Sequence, residues 1–410
     1  MKIAIATPVY YPMINGVAMF SYNLAKGLAA RGNEVVVITP SHTCKKHVEL
    51  EEGVKVQYLK SFDVKVYPDQ IHDVPKKKLI YKHGLKAAAL PNRQIKKILD
   101  EFKPDVVHVQ GSDPVGVATV KYAKKHGIPV VATEHNQPEV LTESLHMPGV
   151  MRKPVNNMLS SYFRKRQLKS DYATMPTQLA INKLTKGKDV GVPIEAVSNG
   201  VDLSAFKPGK ASDAIYNKYN IPKDVPTILY IGRVDPEKQV DAVLKSFAKF
   251  LDEHKLDKLS KTLFLVTGDG VALSGLKSEA KRLGIANSVK FLGRVTAPDL
   301  YEVYKMGNVF VTASQIETQG IVLIEAAATG LPLIAVNGGA VAEVCQNDVN
   351  GILLNPGDEK GMTDAISRIL SDDKLRQKMS DASLKIAAEH SLERTIDKFL
   401  EIYNKVCYTS

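Results

Sequence analysis

Two carboxylates, two cations and one imidazole stand where they could do chemistry in this sequence. Glu317 and Glu325 lie eight positions apart in VTASQIETQGIVLIEAAATGLPLIAV, residues 311–336. A carboxylate accepts hydrogen bonds from vicinal hydroxyls, so the pair could grip two sugars on either side of a diphosphate. Glu393 and Glu401 repeat that spacing on an ordinary amphipathic pattern, so the spacing alone decides nothing. The first pair differs in its setting: Glu317 follows an apolar strand, Gly320 comes next, and Glu325 lies within an otherwise apolar helix. Such a strand, loop and helix aims the unpaired N–H groups of Gly320, Ile321 and Val322 beyond the strand's end, where a helix dipole favours an anion.

The cations are Arg233 and Lys238, in the loop after an apolar strand in YIGRVDPEKQVDAVLKSF. Facing the helix start at Gly320, they would offset the charge of a diphosphate and ease the breaking of a sugar bond. Ordinary surface salt bridges are the other reading of such residues. The imidazole is His135 in TEHNQPE, immediately past a predicted parallel strand, where ligands of open α/β sheets bind. A structural histidine is the alternative, and neighbouring Gln137 and Glu139 take no assigned role. Asn15-Gly16 ends the loop after the first strand; its glycine allows close approach of an acceptor or a phosphate, and a plain turn with an N-cap explains it equally well. No G-x-G-x-x-G occurs at that turn, which disfavours a dinucleotide.

The elements that must hold these residues alternate along the chain. Predicted strands at 3–7, 35–38, 54–59, 106–109, 130–133, 172–175 and 194–197 interleave with helices at 16–32, 94–102, 116–126 and 178–185. Continuous runs such as VVVI and VVHV suit strands covered on both faces, hence a parallel sheet flanked by helices. A turn-prone Asn199-Gly200-Val201-Asp202 marks a boundary, and a second alternating half starts at Thr227. At 410 residues, two domains are expected. The reading is an α/β fold with 1–198 plus 391–410 as the first domain and 199–390 as the second.

The run ETQGIVLIEAAATGLPLIA resembles the donor-site motif of retaining glycosyltransferases of family 4, which have the two-domain GT-B fold. That resemblance implies two Rossmann-like domains facing across a cleft, with Leu392–Val406 crossing back to the first domain. It implies that Glu317 holds hydroxyls of the donor sugar, that Glu325 holds the ribose, and that Arg233 and Lys238 bind the diphosphate. His135 in T-x-H then lies near the donor sugar, and Asn15-Gly16 belongs to a loop beside the reaction centre, which in the family often carries two glycines. The backbone of Gly293-Arg294-Val295 would read a base edge. The expected donor is a nucleotide-sugar, UDP-glucose, used without a metal, since no D-x-D carboxylate cluster is present to hold one.

The formal charge of +11 and the pI near 9.2 suggest an anionic partner. Lys76, Lys77, Lys78, Lys82, Lys86, Arg93, Lys96, Lys97 and Lys103 crowd one segment; Arg152, Lys153, Arg164, Lys165, Arg166 and Lys169 crowd another. In the second, Val155, Met158, Leu159, Tyr162 and Phe163 form a helical stripe ending in basic residues, which suits a helix lying on an anionic membrane; a core-facing helix with a basic solvent side is the alternative. Nucleic acid is disfavoured, because neither cluster interleaves aromatics on a recognised module. Three widely spaced cysteines fit a reducing compartment, and no apolar run is long enough to span a bilayer. TQG after Glu317, the basic first half and the absence of a membrane span together resemble family members that glycosylate diacylglycerol, which implies a cytoplasmic enzyme on the inner face of the membrane. A transferase for a sugar, polyol or thiol, and a nucleotide-sugar epimerase with an acid and base across its cleft, are the alternatives.

Overall fold

Runs of β-branched and aliphatic residues build two parallel sheets, one in each of two compact units: Met1–Gly200 with Leu392–Ser410, and Val201–Ser391. The structure is a computed structural model that describes residues 1–13, 15–64, 85–135, 138–139, 142, 147–167, 169–187, 189 and 191–408. Gln137, Lys76, Lys77, Lys78 and Lys82 lie outside the described residues.

The first unit contains β1 (Lys2–Ala6), β2 (Glu34–Pro40), β3 (His47–Glu51), β4 (Val54–Leu59), β5 (Ser61–Val64), β6 (Leu85–Ala88), β7 (Val106–Gln110), β8 (Val130–Thr133), β9 (Tyr172–Met175) and β10 (Ile194–Ala196). Eight of these form a sheet in the order β10-β9-β8-β7-β1-β2-β4-β3, and β5 pairs with β6. Only β3 runs antiparallel within the sheet; it is an edge strand whose residues are nowhere buried, so HVELE offers no apolar run to predict it by. Alternate residues of β1 face two cores, Ile3 and Ile5 on one side, Ala4 and Ala6 on the other. The final helix, Leu392–Tyr408, lays Ile396, Phe399, Ile402, Tyr403 and Val406 into the first of these cores. That spacing keeps one stripe apolar over about three turns.

The second unit has β11 (Thr227–Ile231), β12 (Leu263–Thr267), β13 (Val289–Gly293), β14 (Val309–Thr312), β15 (Leu333–Val336) and β16 (Gly351–Leu354), in the order β13-β12-β11-β14-β15-β16. All are parallel. Ile228 and Tyr230 of β11 enter one core and Leu229 and Ile231 the other, so the sheet is covered on both faces as a doubly wound fold requires. Among the described residues, no helix is long and apolar enough to cross a membrane.

Candidate active site

In the second unit the strand order reverses between β11 and β14, so the loops leaving these two strands flank a switch point, where open α/β sheets form their binding crevice. The loop after β11 carries Arg233 and Lys238; the loop after β14 carries Glu317. Buried Tyr230 supports the first loop, donating its hydroxyl to the carbonyl of Arg233 at 2.6 Å. Pro236–Lys238 then turns as a short 3-10 helix. This turn sends Lys238 across the switch point: its Nζ lies 2.6 Å from Glu317 Oε1 and 3.3 Å from Ser314 Oγ. A second link, Gln315 Nε2 to Gln239 Oε1 at 3.0 Å, joins the same two loops.

Arg233 makes the ion pairs that are the other reading of such a residue. Its guanidinium pairs with Asp235 and with Glu237 at 2.6 Å, on its own loop. Asp235 and Glu237, which no sequence pattern singles out, thus balance the charge of Arg233, as Glu317 balances that of Lys238.

The Glu317 loop is held from behind by Gly338-Gly339, the turn after β15. A Cβ at Gly338 would overlap the backbone of Gln315, and one at Gly339 would overlap the Glu317 carbonyl; Ala340 N–H donates to that carbonyl at 3.0 Å. Two adjacent glycines after a strand are a readable signal of such close approach.

Gly320 adopts φ 77°, a left-handed conformation that suits glycine, and begins the helix Ile321–Ala328. Leu323 N–H donates to Gly320 O at 2.9 Å, which leaves the N–H groups of Ile321 and Val322 ahead of the first intrahelical bond. One turn further on, Glu325 Oε2 accepts from the hydroxyl of Tyr304 at 2.6 Å. Burial pushes the Glu325 carboxyl up to about 7, against the opposing pull of the Tyr304 hydrogen bond. Gly293 ends β13 at φ 69°, with its carbonyl accepting from Gly268 N–H at 2.8 Å, and Val295 packs against the core two residues on.

The remaining candidates belong to the first unit. Asn15 caps the helix Gly16–Ala30, its Oδ1 accepting from Ala18 N–H at 2.9 Å, and both Asn15 and Gly16 are exposed. His135 is buried against the Phe20 ring, with Nε2 2.8 Å from Gln110 Oε1, and burial lowers its pKa to about 4, so the ring is neutral near pH 7. Gln110 also reaches His108, whose Nδ1 lies 2.6 Å from Tyr403 Oη and whose Nε2 lies 2.6 Å from Thr133 Oγ1. Glu139 contributes a backbone carbonyl that accepts from Thr142 Oγ1 at 3.2 Å.

The basic clusters separate into different surroundings. Lys86 is buried and paired with Asp63, so it is no part of a surface patch, and Lys96 pairs with Asp100 at 2.6 Å. The helix Gly149–Gln167 packs Phe163 with Leu159 against Met175, Ile181 and Leu184. Val150, Met151, Met158 and Tyr162 stay exposed, at 88%, 49%, 63% and 39%, and Arg166 lies over the Tyr162 ring at 5.0 Å.

Comparison with known families decides what this arrangement belongs to. Residues 14–205 match Glycosyltransferase Family 4, and residues 211–385 match Glycosyl transferases group 1. The chain is a family 4 glycosyltransferase of the GT-B type. The transferase is 26% identical over 407 residues to the alpha-monoglucosyldiacylglycerol synthase of Streptococcus pneumoniae, covering 98% of this chain and 86% of that one. It is 25% identical over 418 residues to a D-inositol 3-phosphate glycosyltransferase of Nocardioides, covering 95% and 85%. Among solved structures, the transferase shares its fold with Anabaena HepE in complex with UDP-glucose, at a TM-score of 0.70 and 16% identity over 99% of this chain and 100% of that one.

Proposed function

We propose that this glycosyltransferase moves glucose from UDP-glucose to a hydroxyl of a membrane lipid of the diacylglycerol type, with retention at the anomeric carbon. The observation that carries the lipid reading is the exposed stripe of Met151, Met158 and Tyr162 on a helix that ends in Arg164, Lys165 and Arg166. Apolar side chains facing outward beside a basic cluster suit the boundary between acyl chains and anionic headgroups. The likeness to a monoglucosyldiacylglycerol synthase supports the same acceptor, and the likeness to a structure holding UDP-glucose supports the donor.

In this reading Lys238, the N–H groups of Ile321 and Val322, and Arg233 once released from Asp235 and Glu237 stabilise the departing diphosphate. Glu317 positions the sugar, and Glu325 holds the ribose. The acceptor oxygen bonds to the anomeric carbon on the face from which the diphosphate leaves, and its proton passes to a leaving phosphate oxygen. His135, neutral and fixed by Gln110, serves as a hydrogen-bonding neighbour of the donor sugar, and the loop ending in Asn15-Gly16 lies beside the acceptor. Cations of the protein offset the phosphate charge, so transfer proceeds without a metal and survives chelation.

Incubation with a panel of nucleotide-sugars and a lipid extract, read by mass spectrometry, tests the proposal. A hexosyl-diacylglycerol formed from UDP-glucose is expected. A product only on a phosphorylated polyol would favour the second reading, which the likeness to the D-inositol 3-phosphate enzyme keeps in view.

A further inference from the structure

We propose that Tyr304 is a positioning residue for Glu325, and that the pair sets the preference of the donor site for a ribonucleotide over its 2′-deoxy counterpart. The inference rests on the reading of Glu325 as the ribose-binding carboxylate.

Tyr304 ends the short helix Asp299–Tyr304 and is fully buried. Its ring stands edge-on to Phe206, with centroids 5.5 Å apart, and stacks on Phe310 at 6.3 Å. Such a ring has no room to swing, so its hydroxyl is a fixed point. That hydroxyl donates to Glu325 Oε2 at 2.6 Å and lies 3.4 Å from the Val322 carbonyl. Among the described residues, Tyr304 is the only side chain that hydrogen-bonds the Glu325 carboxylate.

A phenol has one proton to donate, and a carboxylate has about four lone-pair positions. Tyr304 therefore occupies one position and fixes the carboxylate plane, while both oxygens retain capacity to accept from a vicinal diol. A carboxylate held in one plane accepts from the 2′ and 3′ hydroxyls together. When the 2′ hydroxyl is missing, a partly buried acceptor that cannot turn elsewhere is left short of a partner, and a site built that way rejects the deoxy ligand. Without the phenol, the carboxylate turns toward whatever donor is present, and the discrimination fades. Tyr304 acts on a part of the donor remote from the reacting carbon, so its effect falls on binding rather than on the chemical step.

The experiment is equilibrium binding of UDP and 2′-deoxy-UDP to the full chain and to its Tyr304→Phe and Glu325→Gln variants, with the corresponding ADP and GDP pairs alongside. The wild type should favour the ribo ligand by about tenfold or more, as expected for a charged hydrogen bond gained or lost. Tyr304→Phe should remain folded and bind the ribo ligand, with the preference reduced severalfold. A Tyr304→Phe protein that loses affinity equally for both ligands, with the ratio kept, would mark a purely structural tyrosine and overturn the proposal. Should that variant fail to fold, Phe206→Leu, which loosens the seat of the ring and keeps the hydroxyl, should also lower the ratio, and an unchanged ratio overturns the proposal. Failure of the underlying reading shows itself differently: Glu325→Gln would then bind UDP as tightly as the wild type, or the wild type would bind none of the nucleoside diphosphates.

Discussion

At the scale of single residues, the site is a set of paired opposite charges. Lys238 bonds Glu317 across the switch point, and Arg233 is held by Asp235 and Glu237. Glu325 stands apart because burial pushes its carboxyl up to about 7, with Tyr304 the titratable group that bonds it. If Glu325 holds the ribose as proposed, its ionised form accepts from the two hydroxyls more strongly than the protonated form, so affinity for UDP-glucose should rise as pH increases from 6 to 8. UDP-glucose is the suitable probe because its diphosphate has no secondary ionisation in that range. Titration calorimetry at several pH values reads the effect, and a Glu325→Gln variant should show a flat profile. The sign for stability is opposite: a carboxyl whose folded value lies above its unfolded value near 4.5 favours folding at low pH, and that contribution is lost as pH rises through about 7. Glu317, Arg233 and Lys238 were visible in the sequence because charged residues punctuate strand ends in apolar surroundings, and Glu325 because it is a lone carboxylate in an apolar helix. Tyr304 was not visible, since an aromatic residue in a six-residue helix looks like any core residue until its hydroxyl is seen to have a partner.

At the scale of elements, the helix Gly149–Gln167 divides its apolar residues between two tasks. Phe163 is buried against Met175 and Ile181, whereas Met151 and Met158 face outward. Phe163→Ala should lower the unfolding free energy by about 3–5 kcal/mol in urea titration, the usual cost of a large aromatic lost from a core. Met151→Ser with Met158→Ser should change stability by no more than about 0.5 kcal/mol. The same double variant should sediment less with anionic vesicles at low salt. No sedimentation of the wild type under those conditions would sink the lipid reading. The sequence stripe placed Met158, Leu159, Tyr162 and Phe163 together, and only the packing separated buried Phe163 from exposed Met158 and Tyr162. Periodicity identifies an apolar face but not how much of it a neighbour covers. Edge strand β3 escaped prediction for a related reason: with no buried residue, it had no apolar pattern to display.

At the scale of the whole molecule, each unit is a doubly wound sheet, and the last helix belongs to the first of them. Its Tyr403 hydroxyl lies 2.6 Å from His108 Nδ1, and burial lowers the pKa of that histidine to about 3, so the pair is a neutral hydrogen bond inside the core. Tyr403→Phe removes this buried hydrogen bond, leaving Gln110 Nε2 at 3.3 Å as the contact of Nδ1, and should cost about 0.5–1.5 kcal/mol in denaturant unfolding. The parallel sheets were legible in runs such as VVVI and VVHV, and the final helix in its apolar stripe. Polar connections such as Gln110 to His135 were not, since they join residues far apart in sequence whose meeting depends on the sheet order.

The central claim is that cations at the switch point of the second unit draw off the charge of a leaving diphosphate. The rate of hexose transfer from UDP-glucose to diacylglycerol in anionic vesicles, compared between the wild type and an Arg233→Ala, Lys238→Ala double variant, tests it most directly. The account predicts a fall of about a hundredfold or more, with the variant's circular dichroism and melting unchanged. Normal transfer by the folded double variant would contradict it.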